Sequence, residues 1–334
     1  MADDVSEEET NVVQIQEPEE KDAGVTDERV KFVQTVALAE GELDSPININ
    51  LTYTVPIDLP PLYFAHYEVL TKKVKLKNNG RTMVLNCTWQ PKQPVPYLVG
   101  GPFTDRYEFS QLHFHWGNTC MEGSEHTVDG VQLPLEMHVV HFKTEYLTHE
   151  KAVKQPDGIA IVVYLFQLVL FQLHAEINPA IQTLLDSIET IEHADTHVRL
   201  ENFPLTFIVE PFNVDYFLYF GAIHTSVLDH NVIWLISRHV MNVTDDQIEH
   251  FRYLYDVFDE PMLRNFRPIP IDVAERSVFH VCPSTVLIST LLQHLPPEDT
   301  YIKPKLCKHS EEEEEEEEEE DGEETTEQSI CYCP

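Results

Sequence analysis

The chain has 334 residues, 42% of them hydrophobic, which is enough for one large domain or two ordinary ones. Its formal charge of −36 is uneven: residues 1–30 carry −9, residues 309–334 carry −14, and the 278 residues between carry −13. No basic stripe is visible along the sequence to neutralise phosphates, which argues against a nucleic-acid partner. The first segment, 1–30, is acidic and poor in aromatics and is expected to be disordered; its start, "MADDVSEEET", has neither the basic nor the apolar region of a signal peptide. Over 31–280, short apolar runs alternate with turn signals such as "DSPININ", "KNNGRT", "VGGPFTD" and "QPDG". That rhythm predicts a mostly β domain with a few peripheral helices. The longest apolar run, "IAIVVYLFQLVLFQL" at 159–173, is shorter than the ~20 residues that span a bilayer and is rich in β-branched residues, so it reads as a buried strand and no membrane contact is expected. Helices are expected over 178–191, which opens with Asn-Pro, and over 244–256, which opens with Thr and two acids. Residues 281–308 form a C-terminal extension, and 309–334 a tail built around ten consecutive glutamates expected to stay solvated. With no export signal visible, a cytoplasmic location is expected, with the six cysteines mostly reduced.

One stretch carries chemistry. In "QLHFHWG", 111–117, strand alternation puts Gln111, His113 and His115 on one face and Leu112, Phe114 and Trp116 on the other. A second run, "PLEMHVVHF" at 134–142, places Glu136, His138 and Val140 together, with His141 pointing away. If the two strands are neighbours, His138 supplies a third nitrogen. Three neutral histidines with an open fourth position make a catalytic type of zinc site, where bound water ionises near pH ~7. Gln111 and Glu136 each precede a histidine by two residues, where acceptors for the second ring nitrogen are wanted.

The motifs "DSPINI", "KNNG", "GGP", "QLHFHWG", "GSEHTVDG", "LEMHVVHF", "KAVKQPDGIAI" and "RNFRPIP" resemble, in order and spacing, those of the α-carbonic anhydrases. The resemblance implies a large twisted, mainly antiparallel central sheet, with Zn²⁺ on His113, His115 and His138. It implies that Glu125 is the buried glutamate beneath the reacting oxygen, and that Val140, Ile161, Ile223, Val232 and Trp234 form the apolar wall of the CO₂ pocket.

The chain departs from this family where a threonine hydroxyl normally relays a hydrogen bond to that glutamate. In "YFGAIHTSV", 219–227, the threonine position is His224, and Thr225 follows it. Three outcomes stay open: His224 obstructs the site, His224 itself ligates the metal, or Thr225 takes the relay role. Arg81 occupies the position of the family's proton-shuttling histidine and cannot cycle a proton. Ile161 narrows the CO₂ pocket, and Val84 stands where the cleft is usually polar. The pattern is similar to the catalytically impaired, carbonic anhydrase-related members, although all three zinc histidines are kept. The expectation is therefore a zinc-binding domain with weak or no CO₂ hydration that works as a binding module. Its protein partner would be met through the acidic tails or through 281–305. The alternative is a working enzyme that interconverts CO₂ and bicarbonate.

Overall fold

The computed structural model describes residues 27–169, 177–224, 229–271 and 275–283. The acidic N-terminal segment to residue 26, Thr225, and nearly all of the C-terminal extension and glutamate tail lie outside the described residues.

Strands β1 (Asn48–Ile49), β2 (Val55–Ile57), β3 (Leu62–Ala65), β4 (Lys73–Asn78), β5 (Met83–Thr88) and β6 (Tyr97–Gly100) come first. The long β7 (Tyr107–Trp116) follows, then β8 (Thr127–Val128), β9 (Val131–Gln132), β10 (Leu135–Lys143) and β11 (Ile159–Leu168). The last are β12 (His197–Leu200), β13 (Tyr216–His224), β14 (Asp229–Ser237), β15 (Met241–Val243) and β16 (Phe279–Val281). β1, β8 and β9 form a small sheet, and the other thirteen make one large sheet whose spine runs β12-β4-β5-β7-β10-β11-β14-β13-β16-β2. Most ladders are antiparallel, as expected; β11 pairs in parallel with β14 and β15, and β16 with β2.

Strand alternation sorts side chains to two sides. Leu76, Leu85, Leu112, Phe114, Met137 and Val139 belong to the main core on one face. Val140, Ile161, Val163, Tyr219, Val232 and Trp234 belong to a second core on the other. β11 is covered on both, so its first eight residues are buried without interruption. This accounts for 159–168 of the apolar run 159–173 read from sequence as a buried strand; residues 170–173 lie outside the described residues. Among the described residues no helix is long and apolar enough to cross a membrane.

The two expected helices form but are shorter. α3 spans Pro179–Leu185, with the Asn178 side chain capping Ala180 and Ile181, and a separate 3-10 turn covers Ile188–Ile191. α4 spans Asp245–Phe251 behind a reciprocal capping box of Thr244 and Gln247. It ends at Phe251 because the N–H groups of Arg252, Tyr253 and Leu254 turn to the carbonyls three residues back, and Tyr255 N–H then goes to the Glu192 carbonyl. The short α2 covers His149–Ala152. A fourth helix, α1 (Glu28–Glu40), was not predicted; Asp27 caps it, and Val30 and Val33 bury its inner face.

Candidate metal centre

The centre grows out of two adjacent strands in the middle of the sheet. In the antiparallel β7–β10 ladder His113 lies opposite His138, and His115 opposite Glu136. Leu112, Phe114 and Trp116 anchor the far side of β7 in the main core, which fixes the direction of the histidines between them. The ring centroids of His113 and His115, and of His113 and His138, are 5.1 Å apart; those of His115 and His138 are 4.6 Å apart. One nitrogen from each ring lies within 4.8 Å of the others.

Hydrogen bonds assign the tautomers. His113 Nδ1 faces Gln111 Oε1 at 3.0 Å, so that nitrogen donates and Nε2 keeps its lone pair. His138 Nε2 faces Glu136 Oε1 at 2.5 Å, which leaves Nδ1 bare. His115 Nδ1 lies 3.4 Å from the Asn265 carbonyl and 3.3 Å from Glu125 Oε1. Its Nε2 is buried with no hydrogen-bond partner among the described residues. Such an orphan costs ~1–3 kcal/mol unless something accepts its lone pair. Burial pushes the basicity of His113 well below the usual histidine range and that of His115 down to about 4, so both rings are neutral, the ligand form, at pH 7. Three imidazole nitrogens, one of them orphaned, fit a borderline ion such as Zn²⁺.

A second group, His126, Glu136 and His138, is equally tight. It is support for the first. Glu136 accepts from His126 N at 2.8 Å, His126 Nδ1 at 2.7 Å and His138 Nε2, and so spends both oxygens on protein donors. Burial opposes ionisation of Glu136, but the two histidines outweigh it and hold its carboxyl well below the usual range. Tyr219 Oη, 2.7 Å from His126 Nε2, completes the chain as a donor, since burial pushes its acidity far out of reach.

Glu125 is fully buried. Arg267 donates from its backbone N and Nε to Oε1, at 3.0 and 2.8 Å, and from Nη2 to Oε2 at 2.6 Å. Burial works against ionisation, yet His115 and this guanidinium hold the carboxyl at about 2. Counting lone pairs, Oε1 is filled, and donors among the described residues leave one acceptor direction on Oε2.

The five residues expected to form an apolar wall come together. Val140 lies opposite Ile161, Ile161 opposite Trp234, and all three are buried beside Val232, with Ile223 packed against them. His224 ends β13 with Nε2 at 3.1 Å from Asp44 Oδ1, its side chain 45% exposed. It is not gathered with the three imidazoles. Arg81 accepts at its carbonyl from Asn265 Nδ2, and Val84 lies opposite His113.

Sequence reasoning missed three supporting residues. His126 sits in "GSEHTVDG" beside Glu125, where the motif held a second candidate that was not weighed. Arg267 and Asn265 sit in "RNFRPIP", about 150 residues from the histidines. Asn265 ties down the end of β7: it pairs with Trp116 through Oδ1 and its backbone N, at 2.8 and 3.1 Å, and donates to the Phe114 carbonyl.

A mixed, mainly antiparallel sheet with three histidines on its central strands defines a class of metal-binding β domain. Residues 29–282 match the eukaryotic-type carbonic anhydrase family. The chain is 33% identical over 240 residues to carbonic anhydrase 3 of Equus caballus, covering 69% of this chain and 86% of that protein. It is 32% identical over 220 residues to carbonic anhydrase 1 of Monodelphis domestica, covering 65% and 79%. The chain belongs to the carbonic anhydrase family.

Proposed function

We propose that this chain is a zinc-binding member of its family with weak or no CO₂ hydration, and that it works as a binding module like the impaired members it resembles. The observation that carries the reading is the state of the relay. Among the described residues, which do not include Thr225, no hydroxyl donates to Oε2 of Glu125. The side chain at the relay position, His224, is engaged with Asp44 instead. A nucleophile without its orienting bond is misplaced, and small misplacements cost ~10²-fold. A cytoplasmic setting, and partner contacts through the acidic ends or 281–305, belong to the same proposal and rest on sequence.

A second reading, a working carbonic anhydrase, is favoured by the complete triad with its tautomers already fixed. Zn²⁺ held there would act as a Lewis acid that lets water ionise near neutral pH. His113, His115 and His138 would hold it, Gln111 and Glu136 would orient the rings, and the apolar wall would take CO₂. Thr225, or a rotated His224, would have to fill Oε2 of Glu125.

The test is stopped-flow CO₂ hydration on protein of confirmed zinc content, beside His224→Thr. The proposal expects a native rate near buffer background and a clear gain in the variant. Native turnover well above background, stopped by an aromatic sulfonamide, overturns it in favour of the second reading.

A further inference from the structure

Along a chain of net charge −36, Lys73, Lys75, Lys77, His197 and Arg199 look scattered. The sheet collects them. Lys73, Lys75 and Lys77 alternate on β4 with the buried Val74 and Leu76, so they project from the face away from the main core. The edge strand β12 sets Arg199 opposite Lys75 and His197 opposite Lys77. On the other flank β5 sets Thr88 opposite Lys73, Asn86 opposite Lys75 and Val84 opposite Lys77, none of them acidic.

Directly opposed residues of antiparallel strands share a face. One cross-strand row therefore runs His138, His113, Val84, Lys77, His197. The basic strip lies on the same face of the sheet as the metal centre, two strands or ~10 Å from His113. Lys77 is partly neutralised by Asp195 at 2.7 Å. Lys73, Lys75 and Arg199 are exposed and enter no ion pair among the described residues; Arg199 donates only to the Lys72 carbonyl, at 3.3 Å.

We propose that this face of β5, β4 and β12 docks an extended acidic peptide segment of a partner protein, its carboxylates meeting Lys73, Lys75 and Arg199. Spacing favours that occupant. Alternate residues of a strand repeat every ~6.7 Å, the same repeat at which an extended peptide presents alternate side chains, so a glutamate-rich run matches the lysines in any register. The flanking side chains on β5, Val84, Asn86 and Thr88, are not aromatic, and His197 at one end is a single ring, short of the row of stacking platforms that single-stranded nucleic acid needs. Three unpaired cations engage too few phosphates to hold a duplex against the negative charge of the rest of the chain. This surface goes beyond the reading above, because docking there requires neither bound zinc nor turnover.

The experiment is fluorescence anisotropy of a labelled deca-glutamate peptide titrated with the full chain at low ionic strength. Saturable binding that weakens as salt rises is expected. The Lys75→Glu/Arg199→Glu double variant should weaken it about tenfold or more, as the loss of two exposed ion pairs and their replacement by like charges predicts. Lys151→Glu, on the exposed side of α2, should leave it within about twofold. Thermal melts establish that each variant is folded; should the double variant fail that check, Lys73→Gln and Lys75→Gln singly are expected to give smaller losses in the same direction. Absence of binding at low salt, or equal losses in the β4/β12 and Lys151 variants, overturns the proposal. So does tighter binding of an oligothymidylate of equal length, which would assign the strip to nucleic acid.

Discussion

Replacing Arg267 with Met removes two of the three donors to a carboxylate that stays buried. Glu125 is wholly enclosed, whereas the Arg267 side chain is 31% exposed. Breaking a buried ion pair from one side costs ~3–5 kcal/mol, because the remaining charge is left uncompensated. The partial wetting of the guanidinium places this case near the lower end, about 3 kcal/mol. For a domain of this size that corresponds to ~6–12 °C in melting temperature. Adding Glu125→Gln removes the stranded charge, so the double variant should be more stable than the sum of the two single losses implies, by ~2 kcal/mol. Urea unfolding of the four proteins at pH 7, with chelator present, measures the cycle. A loss below ~1 kcal/mol for Arg267→Met, or strict additivity, would refute the claim that the guanidinium compensates Glu125.

Three further outcomes are expected. Glu136→Gln substitutes an amide where an acceptor must serve both His126 and His138, and should weaken zinc binding about 10–100-fold in a competition with a chromophoric chelator; unchanged affinity would mean that His138 does not need this support. His141 is buried in the main core against Tyr67, and burial lowers its basicity from 6.5 to about 3. The unfolded chain therefore takes up a proton first: stability is full above pH ~6.5 and falls with pH, by ~2 kcal/mol at pH 5. His141→Leu should flatten that limb of a stability–pH profile, whatever it costs at pH 7, and an unchanged slope would assign the acid sensitivity elsewhere. Thr244→Ala breaks the capping box of α4 and should cost ~1 kcal/mol by urea unfolding, with no change in zinc affinity.

The features legible in the sequence are those with a short period. His113 and His115 on one strand, and Glu136 and His138 on another, announce a shared face by alternation alone. The buried run at 159–168 announces a central strand by its unbroken apolar character. What escaped has no period. Asn265 and Arg267 act on residues some 150 positions away, and nothing local in "RNFRPIP" marks which atoms they serve. α1 was missed because its apolar positions, Val30 and Val33, are flanked by outward-facing Phe32 and Leu38, which blur the helical stripe. The basic strip was invisible for the opposite reason: each lysine has an ordinary spacing, and only the pairing of β4 with β12 brings Arg199 beside Lys75.

The clamp of Asn265 on Trp116 bears on the order in which the molecule is made. The strands that carry the three histidines are complete by residue 143, yet the contacts that hold the end of β7 and neutralise Glu125 arrive only with residues 265–267. Until that late segment is synthesised and closes a loop of about 150 residues, Glu125 has no guanidinium and the end of β7 no clamp. The supports of the candidate centre are thus the last part of it to be made: the three histidines are in the chain long before the residues that brace their strand and neutralise Glu125.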